Sequence, residues 1–197
     1  MRLIGFFSNY CSQQGRDVIH FPAPRTPPFS PQPGRRVPVA RITIMPQIHR
    51  QQFGLFHITS KTENNVPWCT RDGIPDVLIK NMFETKAIYK AGIHAFCILP
   101  NHIHLITTTG PRGLSRFMQS FKSNSAKEIR VKFPVSAARF RWQSGFYDEW
   151  IRDERQQSAA IAYVQGNGVK HGLVKEIMDW PWSSLHYLEK MDPLELW

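Results

Sequence analysis

Apolar and polar positions along the chain follow either a strand-like or a helix-like period, and each run marks an element. Segment 53–60, FGLFHITS, is a short β-rich run and predicts a strand. Segment 74–91, IPDVLIKNMFETKAIYKA, brings Val77, Leu78, Met82 and Tyr89 near helical spacing. IHAFCIL (93–99) and HIHLITTT (102–109) are again β-rich. Pro100 and Asn101 between them predict a two-residue hairpin turn, without the favoured Asn-Gly chemistry. GLSRFMQSFKSNSAKEIRVKF (113–133) reads as an amphipathic helix with Leu114, Phe117, Met118 and Phe121 as its core stripe. Pro134 lies just past its end. RFRWQSGFYDEWIR (139–152) contains a further strand, and a helix follows over about 154–166 with Asp153 as its N-cap. The order β-α-β-β-α-β predicts an α+β fold of ferredoxin-like type with an additional C-terminal helix.

The first fifty residues read differently. FPAPRTPPFSPQPGRRVP (21–38) holds seven prolines, each fixing φ and removing a backbone donor. Residues 1–50 are therefore expected to be a flexible, Pro-rich basic extension, and residues 51–197 the folded domain. Met45 offers an alternative start. No run is long and apolar enough for a membrane helix, and MRLIGFFSNYCSQQG lacks the h-region and cleavage site of a signal peptide. Cys11, Cys69 and Cys97 are odd in number and widely spaced, which suits a reducing cytoplasm better than a disulfide frame or zinc ribbon.

Charge adds a partner to this picture. The formal net charge is +10. Residues 112–141 carry Arg112, Arg116, Lys122, Lys127, Arg130, Lys132, Arg139 and Arg141 against Glu128 alone. Such a segment suits a polyanion, with nucleic acid the usual one, or else a solvated helix face.

Candidate chemistry centres on LPNHIHLI (99–106). On a strand, residues i and i+2 share a side, so His102 and His104 present two imidazoles together while Ile103 faces away. The pair can supply two corners of a metal site or serve a structural role. The last helix brings Tyr163 and Asn167, four residues apart and so on one face. Gly166 and Gly168 are expected to end that helix, leaving both side chains in its final turn. A half-buried aromatic and a C-cap are the alternatives.

Taken in order, FHITSK, LPNHIHLI, GLSRFMQSFKS, WQSGFYDEWIRDE, YVQGNGVKHGLV and WPWSS resemble the HUH single-tyrosine transposases, most closely the REP-associated tyrosine transposases. The resemblance spans about residues 53–185. It implies that His102, His104 and Asn167 hold a divalent metal, Mg²⁺ or Mn²⁺, and that Tyr163 is the nucleophile. It implies a metal-dependent endonuclease and strand transferase acting on single-stranded DNA of hairpin-forming palindromic repeats, through a 5′-phosphotyrosine. It further implies a monomer in the bacterial cytoplasm at the nucleoid, with a tyrosine-helix-exchanged dimer as the alternative. Arg116, Lys122, Lys127, Arg130 and Lys170 are the expected DNA contacts. His57, on the first strand next to the strand that holds the histidine pair in a ferredoxin-like sheet, is expected to be structural, with a place near the site as the alternative, and His171 to contact phosphate or stand exposed. The two tryptophans of DWPWSS are expected either to stack on bases or to pack a turn before a helix at 183–190.

Two positions depart from the family pattern. Gly168 stands where proline is usual, which is expected to loosen the end of the tyrosine helix. Glu149 stands where histidine is frequent, which alters the local charge. These departures sustain a second reading, a catalytically silent relative that still binds hairpin DNA. A metal hydrolase built on the histidine pair is a third class. The chain is too short for the barrel of about 250 residues that such enzymes use.

Overall fold

The computed structural model describes residues 51–194. The expectations for the Pro-rich extension fall outside these residues. Strands β1 (Leu55–Lys61), β2 (Gly92–Leu99), β3 (His102–Thr108) and β4 (Tyr147–Ile151) alternate with helices α1 (Ile74–Tyr89) and α2 (Gly113–Lys132) in the predicted order. All neighbouring strands are antiparallel, and the sheet runs β2-β3-β1-β4. This is the ferredoxin-like arrangement. Pro100 and Asn101 form the predicted turn, with Leu99 and His102 paired on either side.

Each strand splits its residues between two faces. Phe56 and Ile58 of β1 and Ile103 and Leu105 of β3 face α1 and α2. They pack there with Leu78 and Met82 of α1 and with the whole predicted stripe of α2, Leu114, Phe117, Met118 and Phe121. The alternate residues Leu55, Ile106 and Ile151 point to the other face, where Ala95, Cys97 and Leu99 join a second, smaller core. Helix α3 (Glu154–Gln165) covers that face through Val164. Asp153 caps α3 as expected, its Oδ1 accepting from the Gln156 N–H at 2.8 Å. His57, His102 and His104 lie on this second face.

Helix α3 ends at Gln165 with Gly166 as its C-cap, as expected, but Asn167 falls beyond its last turn. Gly166 keeps right-handed geometry (φ −79°, ψ −3°), and the chain turns on directly into α4 (Asn167–Lys170). The left-handed glycine comes later, at Gly172 with φ 66°. Gly168 serves packing instead. A Cβ at this position would lie 2.8 Å from Trp180 Cβ and 2.9 Å from its Cγ. The indole occupies the space a side chain would need, so the departure from proline is matched by a close contact.

The tryptophan segment closes one edge of the sheet. Trp180 Nε1–H donates to the Ile98 carbonyl at 2.9 Å, and the Ile98 N–H donates to the Trp182 carbonyl at 2.9 Å. Cys97 and Ser183 form an isolated bridge. These contacts cover part of the outer edge of β2, which would otherwise present unpaired backbone groups. Trp180 is buried, so the packed-turn alternative describes it and base stacking does not. The helix expected over 183–190 is instead two 3-10 turns, Ser184–His186 and Leu188–Lys190. Ser183 is held extended at the sheet edge by its bridge to Cys97, so the helix cannot begin there.

Candidate active site

Strand register assembles the site. Thr59 of β1 pairs with His104 of β3, and His57 and Thr59 of β1 pair with Glu149 and Tyr147 of β4. His57, Thr59, His102, His104, Tyr147 and Glu149 therefore share one face of the sheet. Helix α3 crosses this face and places Tyr163 against the histidines. The Tyr163 ring stands edge-on to His104, with centroids 5.5 Å apart at 89°, and 5.6 Å from His57. The His102 and His104 rings are 4.9 Å apart. Thr59, Lys61, Asn101, His102, His104 and Tyr163 are among the residues lining one open cleft. Tyr163 remains 40% exposed, so its hydroxyl-bearing ring is accessible from solvent.

Both histidines of the pair have Nδ1 engaged. His102 Nδ1 lies 2.7 Å from Asn101 Oδ1, an acceptor, so this nitrogen carries the proton and Nε2 keeps a lone pair. His104 Nδ1 lies 3.0 Å from His57 Nε2 and 3.1 Å from Thr59 Oγ1. Burial pushes His102 down to about 4, with His171 and Lys61 adding to the effect. Burial likewise pushes His104 down to about 3, reinforced by His102, His57, His171 and Lys170. Both rings are therefore neutral near pH 7, the protonation state a metal ligand requires. Burial also lowers His57, partly offset by Glu149.

Asn167 is fully buried, and it is not among the residues lining the cleft. Its Nδ2 donates to the Tyr163 carbonyl at 2.7 Å, which fixes the orientation of the amide. Its Oδ1 finds no hydrogen-bond partner among the described residues. A buried amide oxygen without a partner is costly. A cation would satisfy it. Among the described residues no three His, Cys, Asp or Glu side chains form a metal cage. Neutral imidazole nitrogen and an unpartnered amide oxygen are both donor types that a divalent cation accepts.

The expected DNA contacts divide between the two faces. Lys170 stands at the cleft, with its Nζ 4.1 Å from the Tyr163 ring centroid. His171 is beside it, 5.4 Å from the His102 ring. Arg116, Lys122, Lys127 and Arg130 belong to α2, which packs on the opposite face of the sheet. Lys122 donates to the carbonyls of Gln143 and Gly145, and burial lowers it to about 8. Arg130 donates to the Phe140 carbonyl at 3.1 Å. These two tether the loop before β4. Arg116 and Lys127 are exposed.

The place of His57 beside His104, and of Glu149 beside His57, is set by strand pairing more than by local pattern. The parity of β1 placed His57 and Thr59 on one side. Which side, and opposite which partners, depends on the pairing of β1 with β3 and β4, which no local pattern encodes.

Comparisons with known proteins bear on the family and the fold. The family model described as "Transposase IS200 like" matches residues 54–167, a stretch that runs from just before β1 to Asn167. A REP-associated tyrosine transposase of Escherichia coli K12 is 35% identical over 95 residues, covering 48% of this chain and 54% of that protein. A Haemophilus influenzae protein, whose name places it provisionally in the same group, is 33% identical over 114 residues, covering 53% of this chain and 60% of its own length. The chain thus spans little more than half the length of these curated relatives. Among solved structures, a REP-associated tyrosine transposase bound to a REP hairpin superposes with a TM-score of 0.60 at 24% identity, over 76% of this chain and 89% of that one. That likeness supports the fold. With the family model covering the sheet, both central helices and the tyrosine helix, the chain belongs to the IS200-like transposase family.

Proposed function

We propose that this chain is a DNA-processing enzyme that cuts and rejoins single-stranded DNA of hairpin-forming repeats by transesterification. One observation carries the proposal: Tyr163 meets the His102–His104 pair in one cleft of one chain, with centroids of Tyr163 and His104 5.5 Å apart. The hairpin held by the structural neighbour supplies the substrate class, carried over here as part of the proposal.

In this reading the Tyr163 hydroxyl oxygen attacks the scissile phosphorus. A bond forms between the phenolic oxygen and phosphorus, and the bond from phosphorus to the 3′-oxygen breaks. The phenol proton is lost to solvent or a neighbouring base, and the departing strand takes up a proton as its 3′-hydroxyl. The product is a 5′-phosphotyrosine. The phosphoester count is conserved, so a second 3′-hydroxyl reverses the step and joins a new strand without ATP. His102, His104 and Asn167 are the residues that would hold Mg²⁺ or Mn²⁺, whose chemistry when bound is to polarise the scissile phosphate. Lys170 stands over the Tyr163 ring, where its charge favours an approaching phosphate. His57, His104 and Lys170 flank the phenol ring, and one chain contains the whole set, in keeping with a monomer.

The burial of Asn167 favours a second reading, a hairpin-binding relative without chemistry, because a fully buried oxygen is harder for a cation to reach. A labelled hairpin oligonucleotide incubated with Mn²⁺ separates the two. The enzyme reading expects a covalent protein–DNA adduct with the native chain and none with Tyr163→Phe. Tight binding without any adduct would leave the binding module.

A further inference from the structure

Glu149, His57 and His104 lie on three adjacent strands, β4, β1 and β3, and on the same face of the sheet. His57 and Glu149 are direct partners across β1 and β4. Thr59 is the direct partner of His104, which sets His57 diagonal to it. Glu149 Oε2 stands 3.8 Å from His57 Nδ1. His57 Nε2 stands 3.0 Å from His104 Nδ1. A line of polar contacts therefore runs from an exposed carboxylate, through a buried imidazole, to one member of the histidine pair.

The line has a direction. A carboxylate oxygen only accepts, so the nitrogen facing it is favoured in its N–H form. At 3.8 Å the contact is longer than a short hydrogen bond, but the charge still orients the N–H dipole of His57. A neutral imidazole has one N–H. With the proton on Nδ1, His57 offers Nε2 as an acceptor. His104 Nδ1 must then be the donor, and His104 Nε2 keeps its lone pair. Without the carboxylate, His57 is free to carry its proton on Nε2, the usual form of a free neutral imidazole in water. It would then donate to His104 Nδ1 and drive the His104 proton onto Nε2, where it blocks a ligand.

We propose that Glu149 and His57 form a positioning relay that holds His104 in its Nδ1–H tautomer and keeps Nε2 open. Both are positioning residues, because they act through His104. The tautomer rests on the contacts above, and its consequence for a metal rests on the function proposed for this site. Glu149, read from the sequence as a departure from the family pattern, thereby acquires a specific partner and task.

The test is nitrogen NMR of the histidine rings in ¹⁵N-labelled, metal-free protein, followed by Mn²⁺ titration. The Glu149 side chain is 64% exposed, so Glu149→Ala is expected to fold, with circular dichroism as the check. The relay expects His104 as Nδ1–H in the native chain and a majority of Nε2–H in Glu149→Ala. It also expects Mn²⁺ affinity to fall by about tenfold in that variant. Thr59→Val tests the rival orienting group and is expected to leave the tautomer in place. A native-like tautomer in Glu149→Ala, or a shift caused by Thr59→Val alone, would overturn the relay. If Mn²⁺ leaves the His104 signals of the native chain unbroadened, the metal reading fails separately, and the metal-free spectra still decide the relay.

Discussion

His102 and His104 differ in how their Nδ1 atoms are held. His102 uses its neighbour Asn101, a local contact available within the hairpin turn. His104 uses His57, forty-seven residues away in sequence. The first anchor could be inferred from adjacency, and the second only from strand pairing. The same contrast separates Gly168 from Gly172. Gly172 adopts φ 66°, whereas Gly168 is required by the proximity of Trp180. Gly168→Ala is therefore expected to destabilise the fold by about 1–3 kcal/mol, because Trp180 must shift. Urea denaturation checks this, and an unchanged midpoint would mean that the indole moves freely.

Helices α1 and α2 are joined by a small charged network. Glu128 accepts from Lys80, Lys132 and Asn81, and Lys80 also pairs with Glu84. The hydrogen bond from Lys132 is the largest cause holding Glu128 down to about 2 from an ordinary 4.5, with Asn81 and Lys80 adding to it against the cost of desolvation. A depressed carboxylate contributes its stability above the unfolded value and loses it as pH falls toward the folded value. Glu128→Gln should thus cost about 1 kcal/mol near pH 7, given partial solvent screening. The gap to the native chain should close between about pH 4.5 and pH 2. Urea melts at pH 7 and pH 2.5 measure it, and a gap that widens in acid would contradict the assignment. At this scale the sequence was highly legible. The stripe of α2, the cap at Asp153 and the hairpin at Pro100 all follow from local periods and local hydrogen bonds. The C-terminal segment was less so, because its shape is set by pairing with Ile98 at the far side of the sheet. Likewise Asn167 and Tyr163 were readable as neighbours on a helix, but the burial of Asn167 depends on what that helix packs against.

For the molecule as a whole, the sheet divides two kinds of basic residue. Lys170 and His171 border the cleft, whereas the basic helix α2 lies across the sheet from it. Among the described residues no helix is long and apolar enough to cross a membrane. If the DNA strand lies in the cleft, Lys170→Ala should weaken hairpin binding and reduce its salt slope by about one. Arg116→Ala should leave that slope unchanged. Fluorescence anisotropy across a salt series distinguishes them, and equal losses for both would mean that DNA also engages the α2 face.

The central claim is that Tyr163 forms the covalent bond to DNA. Residues 156–170, between Arg155 and Lys170, form one tryptic peptide in which Tyr163 is the sole tyrosine. Tandem mass spectrometry of this peptide, after reaction with a hairpin oligonucleotide and nuclease trimming, reads the attachment point directly. The account predicts a nucleotide joined through a 5′-phosphate to Tyr163. Attachment at another residue, or cleaved DNA with no protein adduct, would contradict it.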